Sequence, residues 1–241
     1  MAVISQNLIT TIGRTYLKGQ LWMTQNGIDH PETVDVALAA ETYRYFWRPT
    51  EVKTLLFLPR DQVTEPEELS LKVRSSWVKI GVQQSPNSFV RTPYCLGAGE
   101  PELINNFPNP SEEKNSPVWH ALADLVQRDY SANQEFMLRL EQKARILHEL
   151  YRLGIWITHP SLHAGQNSRT ILSEWWRGPG QETVKESGNP LIIAYGRGLY
   201  DDLIACDIPV ADYLYHPQGL QSDEHFAHQR EAVERVLKFS T

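Results

Sequence analysis

The sequence predicts an α/β protein, a three-layer α/β/α sandwich with a four-stranded parallel central sheet. Three observations carry that prediction. Four short apolar runs, at 54–58, 155–157, 191–195 and 210–215, read as strands covered on both faces. Helix-like stretches separate them, and repeated strand–helix alternation calls for parallel strands joined by right-handed crossovers. Each run also stops abruptly, at Pro59, at His159-Pro160, at Gly196 and at His216-Pro217. The whole chain, 1–241, reads as one domain, with 1–49 a helical extension packed on it.

In chain order, Ile4, Leu8, Ile12 and Leu17 recur at roughly helical spacing. Pro31 opens a second helix over 32–47, and Pro49 closes it. Its Tyr43, Tyr45, Phe46 and Trp47 are expected to pack in the core. The first strand, within 51–58, follows. Thr64 to Val73 begins Thr-Glu-Pro-Glu-Glu, the composition of a helix start. Residues 74–111 carry little regular pattern. Trp77 to Val82 alternates weakly, 89–97 is an aromatic loop, and 105–110 is a surface turn. Ser116-Pro117 starts a helix to about Gln127. The strongest helix runs from Asn133 to Leu153, with Phe136, Leu140, Ala144 and Leu147 on one face and Gly154 as its stop. After the second strand a helix is expected from Arg169 to about Trp176, broken at Gly178-Pro179-Gly180. The third strand leads through Gly196-Arg197-Gly198 into a short helix, 199–206. The fourth leads through Gln218-Gly219 into a closing helix, 222–239, with Phe226, Val233, Val236 and Leu237 on one face.

Composition narrows the function. A length of 241 residues and a hydrophobic content of 41% allow a sizeable core. A net charge of −6 opposes indiscriminate adhesion to phosphates, so DNA is a partner allowed but not favoured by charge. Two cysteines, Cys95 and Cys206, outside any Cys-x-x-Cys, suit a reducing compartment. No apolar run is long enough to span a bilayer. The expectation is a soluble cytoplasmic protein without a membrane partner. The sequence leaves its oligomeric state open.

Parallel strands all end on one side of a sheet, where open α/β folds bind their ligands. Three of the four ends carry ionisable groups: Asp61, His159 and His216. If they converge, a carboxylate and an imidazole can activate water and hold a departing anion. The bland alternative is polar decoration of strand ends.

Four stretches, in order, resemble the uracil-DNA glycosylase superfamily. LLFLPRDQV is similar to its first motif, a buried strand before a catalytic loop. LHELYRLGIWITHPSLHAG resembles its helix, glycine and strand ending in a base-reading residue. NPLIIAYGRGLYDDL resembles its third strand, closed by glycine. YLYHPQGLQSDEHFAHQREAVERVL resembles its last motif and closing helix. The resemblance implies the fold of that family and, for Asp61, the water-positioning role. It implies that His216 stabilises the leaving base anion and that His159 reads the base edge. Arg60, Gly196 and Gln218 fall in substrate-contacting loops, and Phe89 or Tyr94 is a candidate for stacking on the base. Pro59-Arg60 stands where the family has Gly-Gln, Gln62-Val63-Thr64 where it has Pro-Tyr-His, and Gln218-Gly219 where it has Ser-Pro. His159 stands where it has Asn. The resemblance therefore implies a divergent member, hydrolysing an N-glycosidic bond in DNA without metal or cofactor, or else binding a nucleobase, nucleotide or protein without catalysis.

Other patterns have simpler readings. His159 and His163 are four apart, but Pro160 breaks any helix between them, so a metal pair is not expected. Gly196-Arg197-Gly198 lacks the further glycine and lysine of phosphate loops. Trp175-Trp176 is read as helix–sheet packing, and Ser161 and Ser168 lack a nucleophile elbow. A small-molecule enzyme holding an anion on Arg60 or Arg197 is a third possibility.

Overall fold

In the computed structural model, residues 4–59, 62–74, 86–105 and 118–240 are described. Arg60 and Asp61, the weak alternation at 77–82 and the start of the helix expected at 116 lie outside them, as do residues 106–110 of the turn.

Four parallel strands form the sheet: β1 Thr54–Phe57, β2 Ile155–Thr158, β3 Leu191–Tyr195 and β4 Asp212–Leu214, in the order β2-β1-β3-β4. The expected three-layer α/β/α sandwich is therefore present. β1 and β2 are buried at every residue, as a sheet covered on both faces requires. Phe57 pairs in register with Thr158 and Ala194, and Tyr195 with Leu214, so all four carboxyl ends lie on one side.

The first helix, α1 (Gln6–Gln25), starts where the Ser5 hydroxyl accepts from the Leu8 amide at 3.2 Å. Its inward stripe runs Leu8, Ile12, Tyr16, Met23. Leu17, expected on that stripe, is 59% exposed. It lies five residues past Ile12, about 140° further round the helix, so Tyr16 takes the inward place. The second helix, α2 (Val34–Phe46), buries Tyr43 and Tyr45, and Trp47 packs just beyond it. Its Arg44 is fully buried over the rings of Trp156 (4.3 Å) and Tyr45 (4.8 Å), paired with Glu41. The Trp156 indole donates to Arg44 O at 2.9 Å. These contacts seat the N-terminal region on β2.

Thr64–Val73 is not an α-helix. Only a 3-10 turn forms, Pro66–Ser70, with the Glu65 amide donating to the Glu68 carboxylate at 3.0 Å. Glu68 is also gripped by Arg91 (2.6 Å), which holds this segment against the aromatic loop.

Between β1 and β2 lie α3 (Val118–Leu125) and α4 (Phe136–Arg152). Lys143 of α4 and Glu100 of the preceding loop are both fully buried, with Nζ 2.5 Å from Oε1, and Arg139 reaches the second oxygen at 2.6 Å. Gly154 then turns the chain into β2 with φ +72°. A Cβ there would stand 2.8 Å from Glu51 O, so both the conformation and the space call for glycine.

Beyond β2 come α5 (Arg169–Trp175), a widened turn at Trp176–Gly180, and α6 (Gln181–Glu186). Trp175 is buried edge-on to Phe57, as packing rather than base stacking predicts. A short helix, α7 (Arg197–Ile204), links β3 to β4, and α8 (Asp223–Ser240) closes the chain. Phe226, expected inward on α8, is 49% exposed. Ala232, Val236 and Ser240, four apart, form the buried line instead.

The outer edge of β4 is finished by side chains. Leu214 O accepts from Gly196 N toward β3, so the backbones of Tyr213 and Tyr215 face outward. The Tyr213 amide donates to Asp212 Oδ1 (2.9 Å), and the Tyr215 amide to Gln229 Oε1 (2.7 Å). His228 Nε2 lies 3.1 Å from Tyr213 O. Among the described residues no helix is long and apolar enough to cross a membrane.

Candidate functional site

The carboxyl edge of the sheet holds the described site residues in two groups. The first joins β2 to β1. His159, directly after β2, is buried with Nδ1 2.9 Å from Leu58 O and Nε2 3.2 Å from the Thr92 hydroxyl. A carbonyl oxygen only accepts, so Nδ1 carries the proton. In the neutral ring Nε2 is then the acceptor for Thr92. His159 thus links the end of β1 to the aromatic loop through both ring nitrogens.

The second group joins β3 to β4. His216 is half-buried two residues past β4, and its Nδ1 accepts from the Gln218 amide at 3.3 Å. That amide can only donate, so the neutral ring keeps its proton on Nε2, the opposite tautomer to His159. Pro217 fixes the turn, and Gly219 N donates to His216 O at 2.7 Å. The ring of Tyr195, last residue of β3, meets His216 at 5.7 Å, tilted by 62°. Gly196 follows with φ +96° and donates to Leu214 O at 2.7 Å, so it both ends β3 and binds β4. Gln218 is exposed on the loop.

No family model, curated protein or solved structure matches this chain. The site's meaning therefore rests on its geometry.

His159 and His216 do not adjoin. They follow the two outer strands, β2 and β4, separated by three inter-strand spacings, about 14 Å between strand axes. The end of β1, between them, continues into Arg60 and Asp61, which are outside the described residues. Phe89 and Tyr94, the candidates for stacking on a base, are both core residues. Phe89 is fully buried with the Arg91 guanidinium 5.4 Å from its ring. Tyr94 stacks at 6.5 Å on Trp47, its hydroxyl accepts from the Ile157 amide at 2.7 Å, and burial pushes its pKa up. Neither ring is available to a ligand in this arrangement, because both are buried in the core. Burial likewise pushes the Cys95 thiol up, away from the thiolate a nucleophile needs. Among the described residues no group of three or more His, Cys, Asp and Glu converges as metal ligands would.

Thr92 and Tyr195 join the site without having been singled out in the sequence. Tyr195 was visible as the last residue of an apolar strand before glycine. Thr92 had no local signal, since its place comes from a contact 67 residues away.

Around His216, β4 and α8 carry a ladder of rings. Tyr213 stacks on His228 at 4.4 Å and Tyr215 on His225 at 4.6 Å, and the Tyr213 hydroxyl donates to that of Tyr215 at 3.1 Å. Desolvation first, then that hydrogen bond, pushes the Tyr213 phenol up to about 12. The ladder backs the strand from which His216 emerges.

Proposed function

We propose that the protein is a divergent glycosylase of the uracil-DNA glycosylase type, hydrolysing the N-glycosidic bond of a damaged or deaminated base in DNA. The observation that carries this is His216 at the carboxyl end of a parallel sheet, its Nδ1 accepting from the Gln218 amide so that Nε2 is left as the ring's donor. A deaminated base leaves a sugar as an anion, its charge delocalised from the ring nitrogen onto an exocyclic carbonyl oxygen. A fixed neutral N–H donor stabilises that charge as it develops and does not protonate the base outright. The C1′–N bond breaks, water adds its oxygen to C1′, and the proton it loses finally neutralises the departed base. Asp61 is the group that the sequence resemblance offers to orient that water. DNA would have to present the base extruded from the stack.

The test uses single- and double-stranded DNA carrying uracil, hypoxanthine or a mismatch, with abasic sites as the product. His216→Ala is expected to lower the cleavage rate by about 10²–10³-fold, the loss typical of one transition-state donor. Asp61→Asn is expected to be at least as damaging. No abasic product from the native protein on any of these substrates rules the enzyme out.

A second reading has its own observation. Phe89 and Tyr94 are buried and both nitrogens of His159 are engaged within the fold, which suits a protein that binds a nucleobase, nucleotide or protein on this edge without catalysis. Saturable binding of a nucleotide or of DNA without cleavage, abolished in His216→Ala, is its expected signature.

A further inference from the structure

We propose that Glu32, from the N-terminal region, is a positioning residue for the catalytic edge, holding the loops after β1 and β2 to one another. The inference rests on the glycosylase reading for its activity arm only.

Glu32 lies in the link between α1 and α2 and is 1% exposed. Its Oε1 accepts from the Thr64 amide at 2.9 Å, three residues past Asp61. Its Oε2 accepts from the Ala164 amide at 3.1 Å, five residues past His159. One carboxylate thus bridges two loops that leave neighbouring strands. Its own place is fixed as well. The Tyr16 hydroxyl donates to Glu32 O at 2.5 Å. His30 Nε2 donates to Ala164 O at 3.1 Å and lies 3.8 Å from Glu32 Oε2. Ala164 is therefore held by both its amide and its carbonyl.

The bridge closes a ring. The Thr64 hydroxyl accepts from the Arg91 amide at 2.9 Å. The neighbouring Thr92 meets His159, and His159 meets Leu58 at the end of β1. Every link crosses between chain segments far apart in sequence. Glu32 is the one member that reaches the loops after β1 and β2 with two acceptor oxygens of one rigid group. A carboxylate suits the place because both partners are backbone donors. Glutamine offers one acceptor and would turn its NH2 against the other N–H. The role of the N-terminal helices is thereby defined: α1 and α2 carry the clamp that sets the reach of the edge loops.

The experiment compares the full-length protein with Glu32→Gln, Glu32→Asp and Glu32→Ala. Amide hydrogen exchange is expected to accelerate by about tenfold or more at both Thr64 and Ala164 in the Ala variant and at one of the two in the Gln variant, as loss of one such bond per amide implies, with the strand amides unchanged. Asp, which keeps two acceptor oxygens, is expected to recover part of the protection that Gln loses. In the cleavage assay, kcat is expected to fall by about 100-fold in Glu32→Ala with KM within about twofold, because displaced catalytic loops cost rate rather than binding. Unchanged exchange at both amides overturns the clamp. Acceleration spread evenly through the sheet, or a rise in KM at constant kcat, overturns the positioning role. A native protein that cleaves none of the substrates, with exchange behaving as expected, removes the glycosylase reading and leaves the clamp established.

Discussion

Glu100 is the residue at which a single atom change should be felt most. Its carboxylate lies at zero exposure between Lys143 and Arg139, and the Lys143 ammonium, also at zero exposure, sits 5.3 Å from the Trp119 ring. Glu100→Gln removes a full negative charge from between two cations, one of them fully buried, and is expected to destabilise the protein by about 3–5 kcal/mol. Lys143→Met should cost clearly less, since Arg139 still neutralises Glu100 and the unbranched apolar chain of methionine fills most of the space. Urea unfolding with an unchanged slope decides the order of the two. A larger loss for the Met variant would contradict it. The same reasoning separates the two site histidines. Each tautomer is dictated by a backbone group, a carbonyl for His159 and an amide for His216, so their chemistry differs although their sequence settings, His before Pro at a strand end, are alike.

At the scale of elements, the turn from α4 into β2 depends on Gly154. Gly154→Ala forces a side chain into the left-handed region and against Glu51 O, and is expected to cost at least about 1–2 kcal/mol, read as a fall in the urea midpoint. An unchanged midpoint would mean that β1 and β2 shift apart freely. This turn was legible in the sequence, because a long periodic helix, a glycine and an apolar run follow one another without a gap. The first three strands were legible for the same reason, since burial on both faces leaves uninterrupted apolar runs, whereas β4 carries Asp212 and a partly buried Tyr213 and was marked by the break at His216-Pro217. Where elements were misread, the deciding contact was distant. Thr64–Val73 has the composition of a helix start, yet Arg91 takes Glu68 and the chain makes a single 3-10 turn. Phe226 fits an apolar stripe on α8, yet the helix meets the sheet through the smaller Ala232 and Val236.

The whole molecule carries a pH dependence on the alkaline side. Tyr43, Tyr45, Tyr94 and Tyr130 have phenols pushed up chiefly by burial, and Tyr213 is pushed up to about 12. Below about pH 10 these phenols are neutral in both folded and unfolded chains and the fold loses nothing. Above it the unfolded chain ionises first, so stability falls as pH rises from about 10 toward 12 for Tyr213 and further for the others. Urea midpoints should fall through that window as the tyrosinate absorbance of the unfolded chain rises; a flat profile would show that the phenols are as free folded as unfolded. The candidate site was only partly legible at this scale. Punctuation at strand ends marked His159, Gly196 and His216. The order β2-β1-β3-β4, which parts the two histidines, and the clamp from Glu32 arise from how distant segments cross, and no local periodicity encodes that. The dressing of β4 by Asp212, His228 and Gln229 reaches beyond the single chain. An unfinished border strand invites a stranger's backbone to zip on and so to seed ribbons of copies. Here the outward amides of Tyr213 and Tyr215 are already spoken for, so crowded copies of this chain meet at that border without a template for growth.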